Sequence, residues 1–236
     1  LSESDGKKQA DIFFSHLYWD HIQGLPFFEP LHEPGNCFRF YGEDKGDLPF
    51  QRVIEGQMEA PYFPITMGMA KAKCEFVSIV PHQEVFPGDG IRVKTFPVNH
   101  PNGCLAYRVE RGNSSVVYCT DTEPLKGQDA SAFIDFISGA DVLIYDTHFT
   151  DEEYHGTPHT PGKRNWGHST WQEGVRICKQ AGVGHLLLFH HNEGRSDSKL
   201  QEIEAAARQE FKACTAAREG MSIVVGGDYP EKVVIN

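Results

Sequence analysis

Ser15-His16-Leu17-Tyr18-Trp19-Asp20-His21-Ile22-Gln23-Gly24-Leu25-Pro26-Phe27 is the stretch on which the reading of this chain turns. It follows the apolar, strand-like run Asp11-Ile-Phe-Phe-Ser15. His16 and Tyr18 therefore leave a strand end with their side chains on one side, and Asp20 and His21 follow at the turn. Imidazole with carboxylate suits zinc, iron or manganese better than calcium, which takes oxygen ligands throughout. Alone, so short a pattern is shared by metal sites and by chance clusters of polar residues.

Outward from it, further His and Asp residues stand directly after later apolar strands. His100 follows Ile91–Val98, Asp121 follows Ser115–Cys119 and His190 follows Leu186–Phe189. Strands of nearly continuous apolar residues are those covered on both faces, whereas Ile91–Val98 alternates like a half-exposed one. Between them the sequence predicts helices. Gly127 to Ile137 is one, and a capping box at Ser169-Thr-Trp-Gln172 starts a second that stops at Gly182. A further capping box at Ser198-Lys-Leu-Gln201 opens a third. The stretches 57–71 and 154–165 read as irregular loops. Strands alternating with helices point to a layered α/β protein whose ligand-type residues gather at the strand exits.

The 236 residues are 39% hydrophobic and 23% charged, within the globular range. A single domain over 1–236 is expected. A formal charge of -11 disfavours the many phosphate contacts of duplex binding, so no large nucleic acid is expected as partner. The six cysteines show neither C-x-x-C nor zinc-finger spacing, and no apolar run reaches membrane-span length. A cytoplasmic protein with no membrane association is the expectation, and a homodimer is compatible with it.

The ordered motifs resemble a known family. His16-Leu-Tyr-Trp-Asp-His21 is similar to the H-x-H-x-D-H signature of the metallo-β-lactamase superfamily. Val98-Asn-His100, Tyr118-Cys-Thr-Asp121-Thr, Asp141-Val-Leu-Ile-Tyr-Asp146, Gly167-His-Ser-Thr170 and Leu188-Phe-His190-His191 resemble the later motifs of its ribonuclease Z and cyclic phosphodiesterase branch. The resemblance implies an αββα sandwich with two divalent transition-metal ions bridged by a hydroxide, zinc foremost and manganese or iron as alternatives. It implies His16, His100 and Asp121 at the first metal, and Asp20, His21, the shared Asp121 and His190 at the second. It also implies His168 contacting the scissile phosphate and protonating the leaving group, with Asp146 orienting it; Asp20, His168 and Asp146 are thus the expected catalytic residues. The family's opening strands, which normally precede the histidine cluster, are expected to be missing here.

Tyr18 stands where the family has a second histidine. It reads as a phenolate ligand, as a non-ligand that leaves the first metal poorly held, or as packing; a phenol with pKa of about 10 is a weak ligand when neutral. His100 also reads as a loop histidine capping a turn, and His168 as the residue before a helix cap. His191 reads as a neighbour of the ligands and His148 as either facing the same cleft or lying on the surface. His32, His82, His155, His159 and His185 read as solvated or structural, and Lys163 and Arg164 as steering groups or plain surface.

The function expected is a hydrolase acting on a small anionic phosphodiester: a cyclic nucleotide, cyclic phosphate or dinucleotide. The rival from another class is a non-hydrolytic iron protein, redox or sensory, and a lactonase or thioesterase is a lesser alternative within the fold.

Overall fold

The computed structural model describes residues 2–4, 6–226 and 233–235. The chain divides into two compact units, 1–81 and 82–236.

In the first unit, β1 (Ser2–Ser4), β2 (Lys7–Phe13), β3 (Cys37–Gly42) and β4 (Lys73–Ser78) form one sheet in that order. β1 pairs antiparallel with β2; β2, β3 and β4 run parallel. The sequence-expected strand 11–15 ends early, at Phe13, although Phe14 N–H still donates to Tyr41 C=O at 2.8 Å. A four-residue helix α1 (Trp19–Ile22) and the longer α2 (Phe50–Gly56) follow β2 and β3. Phe38, Phe40, Phe50, Ile54, Met58 and Leu31, nearly all solvent-free, make the core of this unit. Removing such aromatic and branched surface from water is the main stabilising contribution here.

The second unit is built on a seven-stranded sheet. Its strands are β5 (Glu84–Gly88), β6 (Ile91–Val98), β7 (Cys104–Arg111), β8 (Ser114–Cys119), β9 (Val142–Asp146), β10 (His185–Phe189) and β11 (Cys214–Ala216), in spatial order β11-β10-β9-β8-β7-β6-β5. β5 to β8 form an antiparallel meander, while β8, β9, β10 and β11 are parallel neighbours. Parallel strands require crossovers, here α3 (Gly127–Ile137) between β8 and β9, α4 (Asp151–His155) with α5 (Trp171–Ala181) between β9 and β10, and α6 (Asp197–Glu210) before β11. A two-stranded ribbon, β12 (Ile223–Val225) with β13 (Val233–Ile235), completes the described residues. Val142, Leu143, Leu186 and Leu188 are buried as their continuous apolar runs require.

Two helix starts differ from the sequence expectation. α5 is capped by Thr170, whose Oγ1 accepts from Glu173 N–H at 3.1 Å, so Ser169 lies one residue outside. Ser169 is occupied elsewhere: its hydroxyl meets Tyr145 Oη at 3.1 Å and its amide donates to Asp146. α6 is capped by Ser196 rather than Ser198, through a bond from Lys199 N–H. α3 spans the expected residues, and α5 ends on Gly182 in a left-handed conformation (φ 65°) that glycine adopts without strain.

Candidate metal centre

Each unit presents its own cluster of ligand-type side chains. In the first, β2 delivers the chain to His16, which is buried at 3% exposure. Ser15 Oγ lies 3.2 Å from His16 Nδ1, and the His16 ring faces His21 with centroids 4.1 Å apart. His21 is brought back by the single turn of α1, and its Nε2 lies 3.1 Å from Asp20 Oδ2. Tyr18 caps α1 without a side-chain bond to it, stands edge-on to His16 at 5.0 Å between ring centroids and remains 37% exposed. The turn thus gathers two imidazoles and a carboxylate, with a phenol where a third imidazole would complete the set.

In the second unit the parallel strands β8, β9 and β10 end side by side, and the residues just beyond them converge. Cys119 is in register with Tyr145, and Phe189 with Asp146. Asp121 and His190, the exit residues of the outer two, both take positive φ (53° and 55°). That conformation costs a residue other than glycine about 1–2 kcal/mol, and such outliers concentrate where function over-determines the backbone. The strain turns the two side chains together: His190 Nε2 lies 3.2 Å from Asp121 Oδ1. Thr120 Oγ1 holds the other oxygen of Asp121 at 2.6 Å.

Asp146, at the end of the middle strand, is fully buried. Its Oδ2 accepts from His168 Nδ1–H at 2.9 Å and Thr122 N–H at 3.2 Å; its Oδ1 accepts from His148 N–H at 3.0 Å and Ser169 N–H at 3.2 Å. A buried carboxylate is stable when its lone pairs are met this way. The bond to Nδ1 fixes the His168 tautomer and leaves Nε2 uncommitted to Asp146. One ligand atom from each of Asp121, Asp146, His168 and His190 falls within 4.8 Å of the others.

His148 belongs to this cluster, which its position in the sequence left undecided. Its ring stacks on His168 with centroids 4.5 Å apart, and its nitrogens meet the His190 carbonyl (3.2 Å) and Asn192 Nδ2 (2.9 Å). The carbonyl takes the proton of Nδ1 and the Asn192 amide donates to Nε2, which describes a neutral ring. Burial, reinforced by the neighbouring His168, holds its pKa below the usual imidazole value. Arg195, itself bonded to Glu153, anchors the His148 carbonyl at 2.8 Å.

His100 follows β6 and its Nδ1 meets the Gly167 carbonyl at 3.0 Å. This is the arrangement of a ligand histidine whose remote nitrogen donates to a backbone carbonyl. Burial lowers the His100 pKa, the carbonyl bond offsetting part of that. Tyr154 and Glu123, neither singled out by the sequence, pair at 3.0 Å beneath this loop. Burial, and then the bond to Glu123, push the tyrosine up to about 12.

His191 turns away to the Ala217 carbonyl. His185 meets Thr215, His155 meets Arg164, His82 packs edge-on to Phe96, and His159 is exposed, all apart from the clusters. Lys163 lies over the Trp166 ring at 4.0 Å, a surface contact. The donor chemistry in both units, imidazoles with carboxylates, fits a divalent transition metal.

The sequence model of the family described as Beta-lactamase superfamily domain matches residues 3–191, across both clusters. The chain belongs to the metallo-β-lactamase superfamily. Within it, the chain falls among the ribonuclease Z-like metallo-hydrolases, and its mixed α/β architecture is the metallo-β-lactamase fold expected from the motifs. It is 30% identical to a probable metallo-hydrolase, YhfI of Bacillus subtilis, over 82% of this chain and 72% of that protein. It is 32% identical to a ribonuclease Z of Thermoplasma volcanium over 49% of this chain and 34% of that one. A diphosphatase from the PhnP family shares the fold with a TM-score of 0.61 at 19% identity, over 92% of this chain and 80% of that one. Among the described residues, no helix is long and apolar enough to cross a membrane.

Proposed function

We propose that this metallo-hydrolase is a phosphodiesterase acting on a small anionic ester, a cyclic nucleotide, cyclic phosphate or dinucleotide. The observation that carries the reading is the pairing of His168 Nδ1 with the fully buried Asp146 at 2.9 Å, beside a cluster of metal-type donors. Asp146 fixes the His168 ring and stabilises its protonated form, which suits a group that hands a proton from Nε2 to a departing alkoxide. General acid catalysis of this kind contributes about 100- to 10,000-fold. A thioester needs it less, because a thiolate is a better leaving group than an alkoxide. The ribonuclease and diphosphatase among the similar proteins also favour phosphorus–oxygen bonds.

The ligand set is part of the proposal. His16, His100 and Asp121 would hold one divalent transition metal; Asp20, His21, the shared Asp121 and His190 would hold a second, zinc foremost and manganese or iron as alternatives. When bound, such metals lower the pKa of water from 15.7 to roughly 7 and neutralise phosphate charge. Tyr18 would leave the first metal with one imidazole fewer. Residues 1–236 are read as a single domain, of which the family match covers residues 3–191.

A formal charge of -11 argues for a small substrate over a large nucleic acid, and for a charge at the centre supplied by metal. All six cysteines are unpaired, which favours a reducing cytoplasmic setting without membrane association; a homodimer is the simplest assembly compatible with it. The test is a panel of 2′,3′- and 3′,5′-cyclic nucleotides, dinucleotides, lactones and thioesters, assayed with added zinc, manganese or iron. Turnover confined to phosphodiesters is expected. Lactone or thioester turnover with inert phosphodiesters would overturn the reading.

A further inference from the structure

Glu123 lies two residues beyond Asp121 and is buried to 6% exposure. One of its bonds reaches the His100 loop directly, a second reaches it through Gly167, and a third holds the carboxylate in place. Its backbone N–H donates to the carbonyl of Asn99, the residue before His100, at 2.8 Å. Its Oε1 accepts from Gly167 N–H at 3.1 Å, and the carbonyl of that same glycine meets His100 Nδ1 at 3.0 Å. Its Oε2 accepts from Tyr154 Oη at 3.0 Å, which pins the carboxylate from the far side. A carbonyl can only accept, so His100 Nδ1 carries the proton and Nε2 carries the lone pair.

Gly167 can be no other residue in this arrangement. Its φ is +87°, and a Cβ there would collide with His100 Nδ1 and come within 2.7 Å of Cε1 and 2.9 Å of Pro101 Cδ. The peptide must approach the imidazole edge closely, and something must hold it there. The Glu123 carboxylate does so at the Gly167 amide.

We infer that Glu123 is a positioning residue, holding His100 in the Nδ1–H tautomer and in a fixed orientation through the Gly167 peptide. Its consequence for metal binding rests on the reading of His100 as a ligand given above. Partners that orient a ligand imidazole typically contribute 10- to 100-fold to metal affinity.

The experiment compares wild type with Glu123→Ala and Glu123→Gln by three readouts. These are the His100 tautomer in metal-free protein, from long-range 1H–15N spectra; zinc affinity, by competition with a chromogenic chelator; and the Tm of the metal-free protein. Glu123→Gln should keep the Nδ1–H tautomer and zinc affinity, because its amide oxygen still accepts from Gly167 N–H and its NH2 can donate to Tyr154 Oη. Glu123→Ala should mix the tautomers and weaken zinc binding about 10- to 100-fold. Should the alanine variant not fold, Glu123→Met keeps the volume, removes both acceptors and carries the same expectation. An alanine or methionine variant with a lowered Tm but wild-type tautomer and zinc affinity would reduce Glu123 to a structural role and overturn the inference. Wild type that binds no zinc would refute the ligand reading, while the tautomer comparison would still decide the role of Glu123.

Discussion

Replacing Asp146 by asparagine isolates the contribution of one buried carboxylate. Asp146 accepts from His168 Nδ1 and Thr122 N on one oxygen and from His148 N and Ser169 N on the other. An asparagine can present its oxygen to only one of these pairs. The other pair then faces an NH2 group, donor against donor, with no water at a fully buried position. Hydrogen bonds to a charged group contribute about 1.5–3 kcal/mol each, so losing two costs roughly 3–6 kcal/mol. At about 2–4 °C per kcal/mol for a chain of this size, Tm should fall by roughly 6–24 °C. If the oxygen stays with the two backbone amides of His148 and Ser169, His168 loses its partner, and phosphodiester turnover should fall about 100- to 10,000-fold. Calorimetry and a steady-state assay on bis(4-nitrophenyl) phosphate read both quantities from one preparation. A Tm within 2 °C of wild type together with unchanged kcat would refute the account of Asp146.

Further outcomes follow from the same geometry. Asp121→Ala should abolish binding of both metals and all turnover, since its carboxylate is proposed to serve both; full activity in the variant would refute the assignment. Tyr18→His should raise metal occupancy in protein purified without added ions, measured by mass spectrometry of the metal, and unchanged stoichiometry would count against a weakened first metal. Burial lowers the pKa of both His185 and His191 in the folded protein. The unfolded chain takes up protons near pH 6.5 while these rings stay neutral, so stability is lost as pH falls through about 6.5 toward the lower folded values. Urea unfolding of metal-free protein should show a lower midpoint at pH 5.5 than at pH 7.5, and His185→Gln should lose less between the two; equal midpoints would contradict this. Saturating zinc at about 100 times its Kd should stabilise the fold by ~2.7 kcal/mol, which a chelator should reverse.

Much of the unit around β8, β9 and β10 is legible in the sequence, because continuous apolar runs mark doubly covered strands and each ends in a polar residue of ligand type. Asp121 and His190 stand out for that reason, and Asp146 only through the family motif that contains it. The expected caps miss the observed ones in opposite directions, Ser169 one residue before Thr170 and Ser198 two residues after Ser196, because several hydroxyls compete at each start: Ser169 is drawn off to Asp146 and Tyr145, which leaves Thr170 to cap. Glu123 is not marked by the sequence and His148 is left undecided by it, because their partners, Gly167 and Asn192, are each 44 residues away. No periodicity carries that information. The Thr-Asp-Thr-Glu run at 120–123 held a usable signal, since an acidic residue two positions past a ligand, on a segment leaving a buried strand, has few places to go except into the same loop cluster. The positive φ of Asp121 and His190 was equally hidden: Asp and His enter the left-handed region more often than most residues, yet still too rarely for the residue type alone to mark it.

The central claim is that this chain holds two transition-metal ions on His16, Asp20, His21, His100, Asp121 and His190 and uses them to hydrolyse phosphodiesters. Metal quantification and phosphodiester turnover, made on one sample of wild type beside Asp121→Ala, test it most directly. The account predicts up to two ions per chain, with turnover rising with occupancy, and neither in the variant. A single tightly held iron per chain with no phosphodiester turnover at any loading would contradict it.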